Sequence, residues 1–226
     1  MTTLTKSYES YVDGNFVAEP SAERIPVKNP ATEQTISDVP ESSQATVDAA
    51  LDAAARAQPA WGKRPAIGRA QFVREIARRI RERVEELARV ITEEQGKTLE
   101  LARVEVAFTA DYLDYMAEWA RRLEGEILTS DRPNENIFLF RMPIGVVAGI
   151  LPWNFPFFLV ARKLAPALVT GNTIVIKPSE ETPNNAFEFA KIVAETDLPP
   201  GVVNFVSGRG PTVGQQLAGS PVAGMV

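Results

Sequence analysis

The 226-residue chain has no cysteine and no histidine. These absences remove a thiolate nucleophile, an imidazole base, a Ser-His-Asp triad and every Cys/His zinc site. Chemistry carried by this chain must rest on Lys, Asp, Glu, Ser, Tyr or a bound cofactor, and no metal site is expected. A basic surplus is also missing. The 24 Lys and Arg face 29 Asp and Glu, a formal net charge of -5, which argues against nucleic acid as a partner. The longest mainly apolar stretch, Ile144 to Val169, is broken by Asn154, Arg162, Lys163, Pro152, Pro156 and Pro166, so no membrane span is expected. Met1 to Ser10 lacks the basic-then-apolar pattern of a signal peptide, and a cytoplasmic location is expected. The composition that remains, 45% hydrophobic and 23% charged, is that of a globular protein. At ~150 residues per domain the length suits one large domain or one and a half.

The chain changes period along its length. Near the start, Tyr11-Val12 and Phe16-Val17-Ala18 flank Asp13-Gly14, which reads as a hairpin followed by an extended arm around Asn29-Pro30. Val47, Ala50, Leu51, Ala54 and Ala57 place a helix over Ser43–Gln58, ended by Pro59. A longer helix is expected from Pro65 to Gln95, with Phe72, Ile76, Ile80, Val84, Leu87 and Ile91 on one stripe. Its arginines are interleaved with glutamates at three- and four-residue spacing, which reads as a solvated face. Gly96 marks the end of that helix. A third helix, Thr98 to Leu123, would turn Leu101, Val104, Phe108, Tyr115 and Trp119 inward. After Gly125 the period becomes two. Glu126–Thr129 and Asn136–Arg141 around a polar turn read as a hairpin with two apolar faces, which calls for cover from a neighbouring subunit or domain.

From residue 144 strands and helices alternate: Val146–Leu151, Phe157–Val169, Thr173–Ile176, Pro183–Ala194, Val202–Val206 and Thr212–Ala218. The pattern implies βαβ units, hence an α/β fold with a parallel sheet and helices on both faces. Val222 to Val226 resemble the start of another strand, from which the sequence is expected to be the N-terminal piece of something longer.

Ligands of open parallel sheets bind beyond the carboxyl ends of the strands, so the loops there are the candidate sites. Gly208-Arg209-Gly210-Pro211-Thr212-Val213-Gly214 joins a strand to a helix and could receive a pyrophosphate, or be a tight turn that merely needs glycine. Lys177-Pro178-Ser179-Glu180 offers an amine and a carboxylate three residues apart, suited to ribose hydroxyls or to a surface ion pair. In Pro152-Trp153-Asn154-Phe155-Pro156, a stiffened Asn154 could donate to a developing oxyanion, an effect of ~2.7–4 kcal/mol elsewhere, or could cap the following helix.

Taken together, Tyr11-Val12-Asp13-Gly14, Asn29-Pro30-Ala31-Thr32, Leu151-Pro152-Trp153-Asn154-Phe155-Pro156, Lys177-Pro178-Ser179-Glu180 and the glycine turn resemble the aldehyde dehydrogenase superfamily over essentially the whole chain. Glu105–Tyr112 and Phe157–Lys163 resemble its bacterial lactaldehyde/glycolaldehyde subgroup. The resemblance implies a Rossmann-like NAD-binding core at 144–226, an N-terminal arm and helical segment at 1–124, and a protruding β-hairpin arm at 125–143. It makes Asn154 the oxyanion-stabilising residue. NAD is assigned to Leu151, Trp153, Lys177, Ser179, Glu180, Gly210, Gly214 and Gln215. A small aldehyde is assigned to Phe155, Leu159 and Arg162, which share a helix face.

Family chemistry implies thiolate attack on the aldehyde, hydride transfer to nicotinamide and glutamate-assisted thioester hydrolysis. The nucleophilic cysteine and the glutamate base are implied to lie beyond Val226, leaving the chain inactive alone. Hairpin 126–141 is implied to make a homo-oligomer. A carboxylate at Glu180 favours NAD over NADP, since two negative charges at ~4 Å cost ~4 kcal/mol at an effective dielectric of 20. The alternatives are a non-catalytic nucleotide-binding or assembly module, and a relative that reduces acyl phosphates or thioesters.

Overall fold

A computed structural model describes residues 6–226. The first five residues of the N-terminal segment read above lie outside the described residues. Strand β1 (Lys6–Ser7) pairs parallel with β5 (Thr35–Pro40), which also pairs antiparallel with β4 (Arg24–Lys28). β2 (Ser10–Val12) and β3 (Asn15–Val17) form the expected hairpin over Asp13-Gly14. Then come α1 (Gln44–Lys63), α2 (Ala66–Glu82), α3 (Val84–Gln95) and α4 (Leu99–Glu118), the last continued by a single 3-10 turn. β6 (Glu126–Thr129) and β7 (Asn136–Leu139) make a separate two-stranded ribbon, exposed throughout. The remainder alternates β8 (Val146–Ile150), α5 (Pro156–Val169), β9 (Thr173–Lys177), α6 (Asn184–Ala194), β10 (Val203–Phe205), α7 (Gln215–Gly219) and β11 (Ala223–Met225).

The central sheet has the order β11-β8-β9-β10-β2-β3. Its first four strands are parallel, and the N-terminal hairpin closes the edge in antiparallel fashion. Alternation along the strands sorts side chains onto two faces. Ile174, Ile176 and Phe205 join Val160, Leu164, Phe187 and Phe189 of α5 and α6 in the larger core. Val146, Ala148, Val175 and Val206 pack on the other side with Val47, Leu51 and Leu217 of α1 and α7. The α/β architecture with helices on both faces is therefore as expected.

Three helix expectations are corrected. Pro59 lies inside α1 and does not end it. Tertiary bonds hold the helix on either side of it, from Gln58 Nε2 to Gly171 O (3.2 Å) before the proline and from Trp61 Nε1 to Leu168 O (3.2 Å) after it, and offset the N–H lost at proline. The single helix over 65–95 is two helices, broken at Arg83 with φ -123° and ψ 22°. The apolar stripe continues across the break, so periodicity alone carried no sign of it. Gly96 does end α3, in the left-handed region at φ 79°, where glycine pays no Cβ penalty.

The phase of α4 is the third correction. Ala102, Val106, Ala110, Leu113 and Ala117 are buried, whereas Leu101, Val104, Phe108, Tyr115 and Trp119 are exposed. Both sets follow a three- and four-residue spacing. The small set faces inward because α4 packs closely on α2, whose contact face is itself partly Ala70 and Ala77. The large residues are left on the surface, where three of them line a groove.

Candidate functional site

β8, β9 and β10 are parallel neighbours, so the loops after them gather at one edge of the sheet. Leu151 is buried and extends the β8–β9 ladder through its N–H to Lys177 O at 2.9 Å. Lys177 is almost fully buried, and its Nζ donates to Pro178 O (2.9 Å) and Glu180 Oε2 (3.0 Å). Glu180 Oε1 accepts the Gly210 N–H at 3.1 Å, tying the second loop to the third. Burial pushes the Glu180 carboxyl up, but bonds from its own N–H, from Lys177 and from Gly210 outweigh it and hold the group below its ordinary range. An ionised carboxylate results, 30% exposed, with one of its four acceptor positions left for a hydroxyl donor. Ser179 is buried and accepts the Glu181 N–H at 3.3 Å, which shapes the turn.

The glycine-rich loop differs from the helix start read from sequence. Gly210–Gly214 is one π turn, and α7 beyond it has only five residues, too few for a strong dipole. The Gly210 N–H is held by Glu180, and the Gly214 N–H by Arg209 O at 3.2 Å. Gln215 is exposed.

The first loop forms a ridge between two cavities. Trp153 and Glu180 line one of about 510 Å³, whose far wall is Val27, Lys28, Pro30, Glu94 and Gln95. Asn154, Phe155, Leu159 and Arg162 line the other, of about 430 Å³, together with Leu101, Val104, Phe108 and Phe158. The structure thus brings the three substrate-assigned residues and Asn154 into one groove. Gly210, Gly214 and Gln215 line neither cavity.

Asn154 does not cap α5. The N–H groups of Phe157 and Phe158 both donate to Glu105 Oε1, at 3.0 and 3.1 Å. Glu105 is buried and its second oxygen pairs with Lys97. The Asn154 carbonyl accepts from Gln95 Nε2 (3.1 Å) and Lys97 Nζ (3.3 Å), and Lys97 also sits 4.1 Å above the Phe155 ring centroid. The backbone of the loop is thereby clamped while the Asn154 side chain stays exposed to the groove. Lys97, Glu105 and the outer face of α4 escaped the sequence reading. Their contacts with Asn154, Phe157 and Phe158 reach over fifty residues along the chain, and no local spacing announces such a contact.

At the far end of the groove, Arg162 is exposed and acts on Tyr112. Burial raises the Tyr112 phenol above its ordinary range, and the Arg162 charge offsets part of that rise. Among the described residues, no cluster of three or more potential metal ligands is present, and no helix is long and apolar enough to cross a membrane.

These features define a doubly covered α/β sheet with an ionised carboxylate and an apolar groove at its carboxyl edge. The sequence pattern of the Aldehyde dehydrogenase family matches residues 16–226, and the chain belongs to that family. It is 62% identical to the lactaldehyde dehydrogenase of Escherichia coli (strain K12) over 96% of this chain and 45% of that protein. A crystal structure of lactaldehyde dehydrogenase from Escherichia coli superposes with a TM-score of 0.96 at 60% identity, over 97% of this chain and 46% of that one. A 3,6-anhydro-L-galactose dehydrogenase solved in complex with NAP gives a TM-score of 0.92 at 38% identity, over 96% of this chain and 46% of that one. The chain therefore spans less than half the length of the proteins it matches. The family uses NAD or NADP with aldehyde substrates.

Proposed function

We propose that this chain is the cofactor-binding part of an NAD-dependent aldehyde dehydrogenase acting on a small hydroxyaldehyde of the lactaldehyde or glycolaldehyde type. The observation that carries the reading is the ionised Glu180 carboxylate, fixed by Lys177 and Gly210 at the carboxyl edge of the sheet. An adenosine ribose presents two adjacent hydroxyls, and the exposed Glu180 carboxylate can accept from one of them, so the residues present suit the cofactor. Leu151, Trp153, Ser179, Gly214 and Gln215 complete the assigned surface. The chemistry supplied by bound NAD is acceptance of a hydride.

Asn154 supplies an amide donor to the oxygen that gains charge when the aldehyde carbon is attacked. Its value lies in being fixed beforehand, which the Gln95, Lys97 and Glu105 clamp supports. Phe155 and Leu159 exclude water from the groove, and Arg162 receives the hydroxyl of the substrate. With no cysteine in 226 residues, the chain has no thiol to attack the aldehyde and does not turn over alone. Residues 1–124 and 144–226 act as one cofactor-binding unit, in keeping with the shared sheet. The ribbon at 126–141 joins copies into a homo-oligomer, which would cover Ile127, Phe138 and Phe140.

Titrating the purified chain with NAD while following tryptophan emission tests this reading. Saturable quenching that weakens in Glu180→Ala, with no aldehyde oxidation, is expected. Absence of binding, or turnover by the cysteine-free chain, would overturn it.

A further inference from the structure

Next to Glu180 stands a cation that the cofactor assignment leaves unused. Arg209 immediately precedes Gly210, whose N–H is bonded to Glu180. Its guanidinium is turned away onto two other carboxylates, with Nη1 donating to Glu41 Oε2 at 3.0 Å and Nη2 to Glu23 Oε1 at 2.8 Å. The Arg209 N–H also donates to both Glu41 oxygens at 3.2 Å, and Thr212 Oγ1 donates to Glu41 Oε1. Glu41 is mostly buried at 16% side-chain exposure, whereas Arg209 and Glu23 are exposed. The hydrogen bond that Arg209 donates to Glu23 raises the Arg209 pKa above its ordinary value, and Glu180 is near enough to add to that rise.

We propose that Glu23 and Glu41 are specificity-determining residues that sequester Arg209, so that the Glu180 edge stays anionic and rejects a 2′-phosphate. The inference rests on the reading that Glu180 faces an adenosine ribose. Lys177 already pairs with Glu180, and a guanidinium one residue from Gly210 is the group best placed to add a second positive charge at that edge or to pair with a 2′-phosphate in bidentate fashion. Two carboxylates hold it instead, so the ribose side gains no positive charge beyond the Lys177 ammonium already paired with Glu180, a balance that a dinucleotide without the phosphate tolerates. Selectivity on this account comes from where an arginine is tied as much as from the carboxylate itself.

The test is a pair of equilibrium titrations, NAD and NADP, on the 226-residue chain and four variants. Glu23→Gln removes one of the two negative charges paired with Arg209, at an exposed site, and should shift the NADP-to-NAD affinity ratio ~3-fold toward NADP; with Glu41→Gln added, the shift should reach ~10-fold. Glutamine at position 41 keeps an acceptor for the Arg209 and Thr212 donors, and Glu23→Gln alone keeps the test alive if the double variant misfolds. Arg209→Met should leave the ratio of the parent chain within ~2-fold and abolish the gain when added to the double variant. An unchanged ratio in Glu23→Gln and the double variant would overturn the proposal. So would a gain that survives Arg209→Met, because bulk negative charge and not the arginine would then be the cause. Failure of the parent chain to bind either dinucleotide would instead remove the cofactor reading on which the proposal stands.

Discussion

Replacing Glu105 by alanine should be among the most destabilising single changes available to this chain. Its carboxylate is 1% exposed, accepts the Phe157 and Phe158 N–H groups, and pairs with a Lys97 ammonium only 11% exposed. Truncation leaves two amide donors at the start of α5 without their acceptor and one cation buried without its partner. Breaking a buried ion pair from one side costs ~3–5 kcal/mol, and losing a helix cap ~0.5–2 kcal/mol; the groups are shared, so ~4 kcal/mol is expected rather than the sum. Urea unfolding should show a lower midpoint at unchanged slope. Glu105→Gln keeps the Oε1 acceptor and loses only the charge, so it should cost about half as much. Adding Lys97→Met to Glu105→Ala should recover ~1–2 kcal/mol, because the stranded ammonium is removed with its partner. A loss below ~1 kcal/mol for Glu105→Ala would refute the capping role and the clamp on the Asn154 loop built upon it.

The revised phase of α4 predicts that Leu113→Ala costs ~2–5 kcal/mol while Leu101→Ala stays within ~0.5 kcal/mol, by the same unfolding assay; comparable losses would restore the opposite phase. Burial pushes the Glu94 carboxyl up from 4.5 to about 8 despite donors from Asn184 and Asn185. A raised carboxyl keeps its proton in the folded state while the unfolded chain releases it. Its contribution to stability is full below about pH 4 and is lost as pH rises through about 8. Urea midpoints measured from pH 5 to 9 should decline less in Glu94→Gln than in the parent, and parallel curves would contradict this. Finally, Phe138→Glu on the exposed ribbon should lower the oligomer mass in sedimentation without moving the thermal midpoint. An unchanged mass would place the interface elsewhere.

The βαβ alternation from residue 144, the opening hairpin and the Gly96 stop were legible because their signals are local. Strand and helix impose periods of two and 3.6 on hydrophobicity, and a left-handed helix end selects glycine. The loops after β8, β9 and β10 could be named for the same reason, since the carboxyl edge of a parallel sheet follows from the alternation itself. What no local pattern could supply was choice among equals. α4 carries two stripes of good spacing, and only the close approach of α2 decided that Ala102, Val106 and Ala110 face inward while Leu101, Val104 and Phe108 border the groove. Arg83 has no Gly or Pro beside it, so the break between α2 and α3 is set by packing. The acceptor that caps α5 comes from Glu105, fifty-two residues earlier, and the partner of Arg209 from Glu41, a hundred and sixty-eight residues earlier. The order of periods along the chain determined the fold class and the edge where a site can form. Contacts between distant segments, which depend on how closely helices approach and which charges they trap, decided which side chains line that site and which hold it in place.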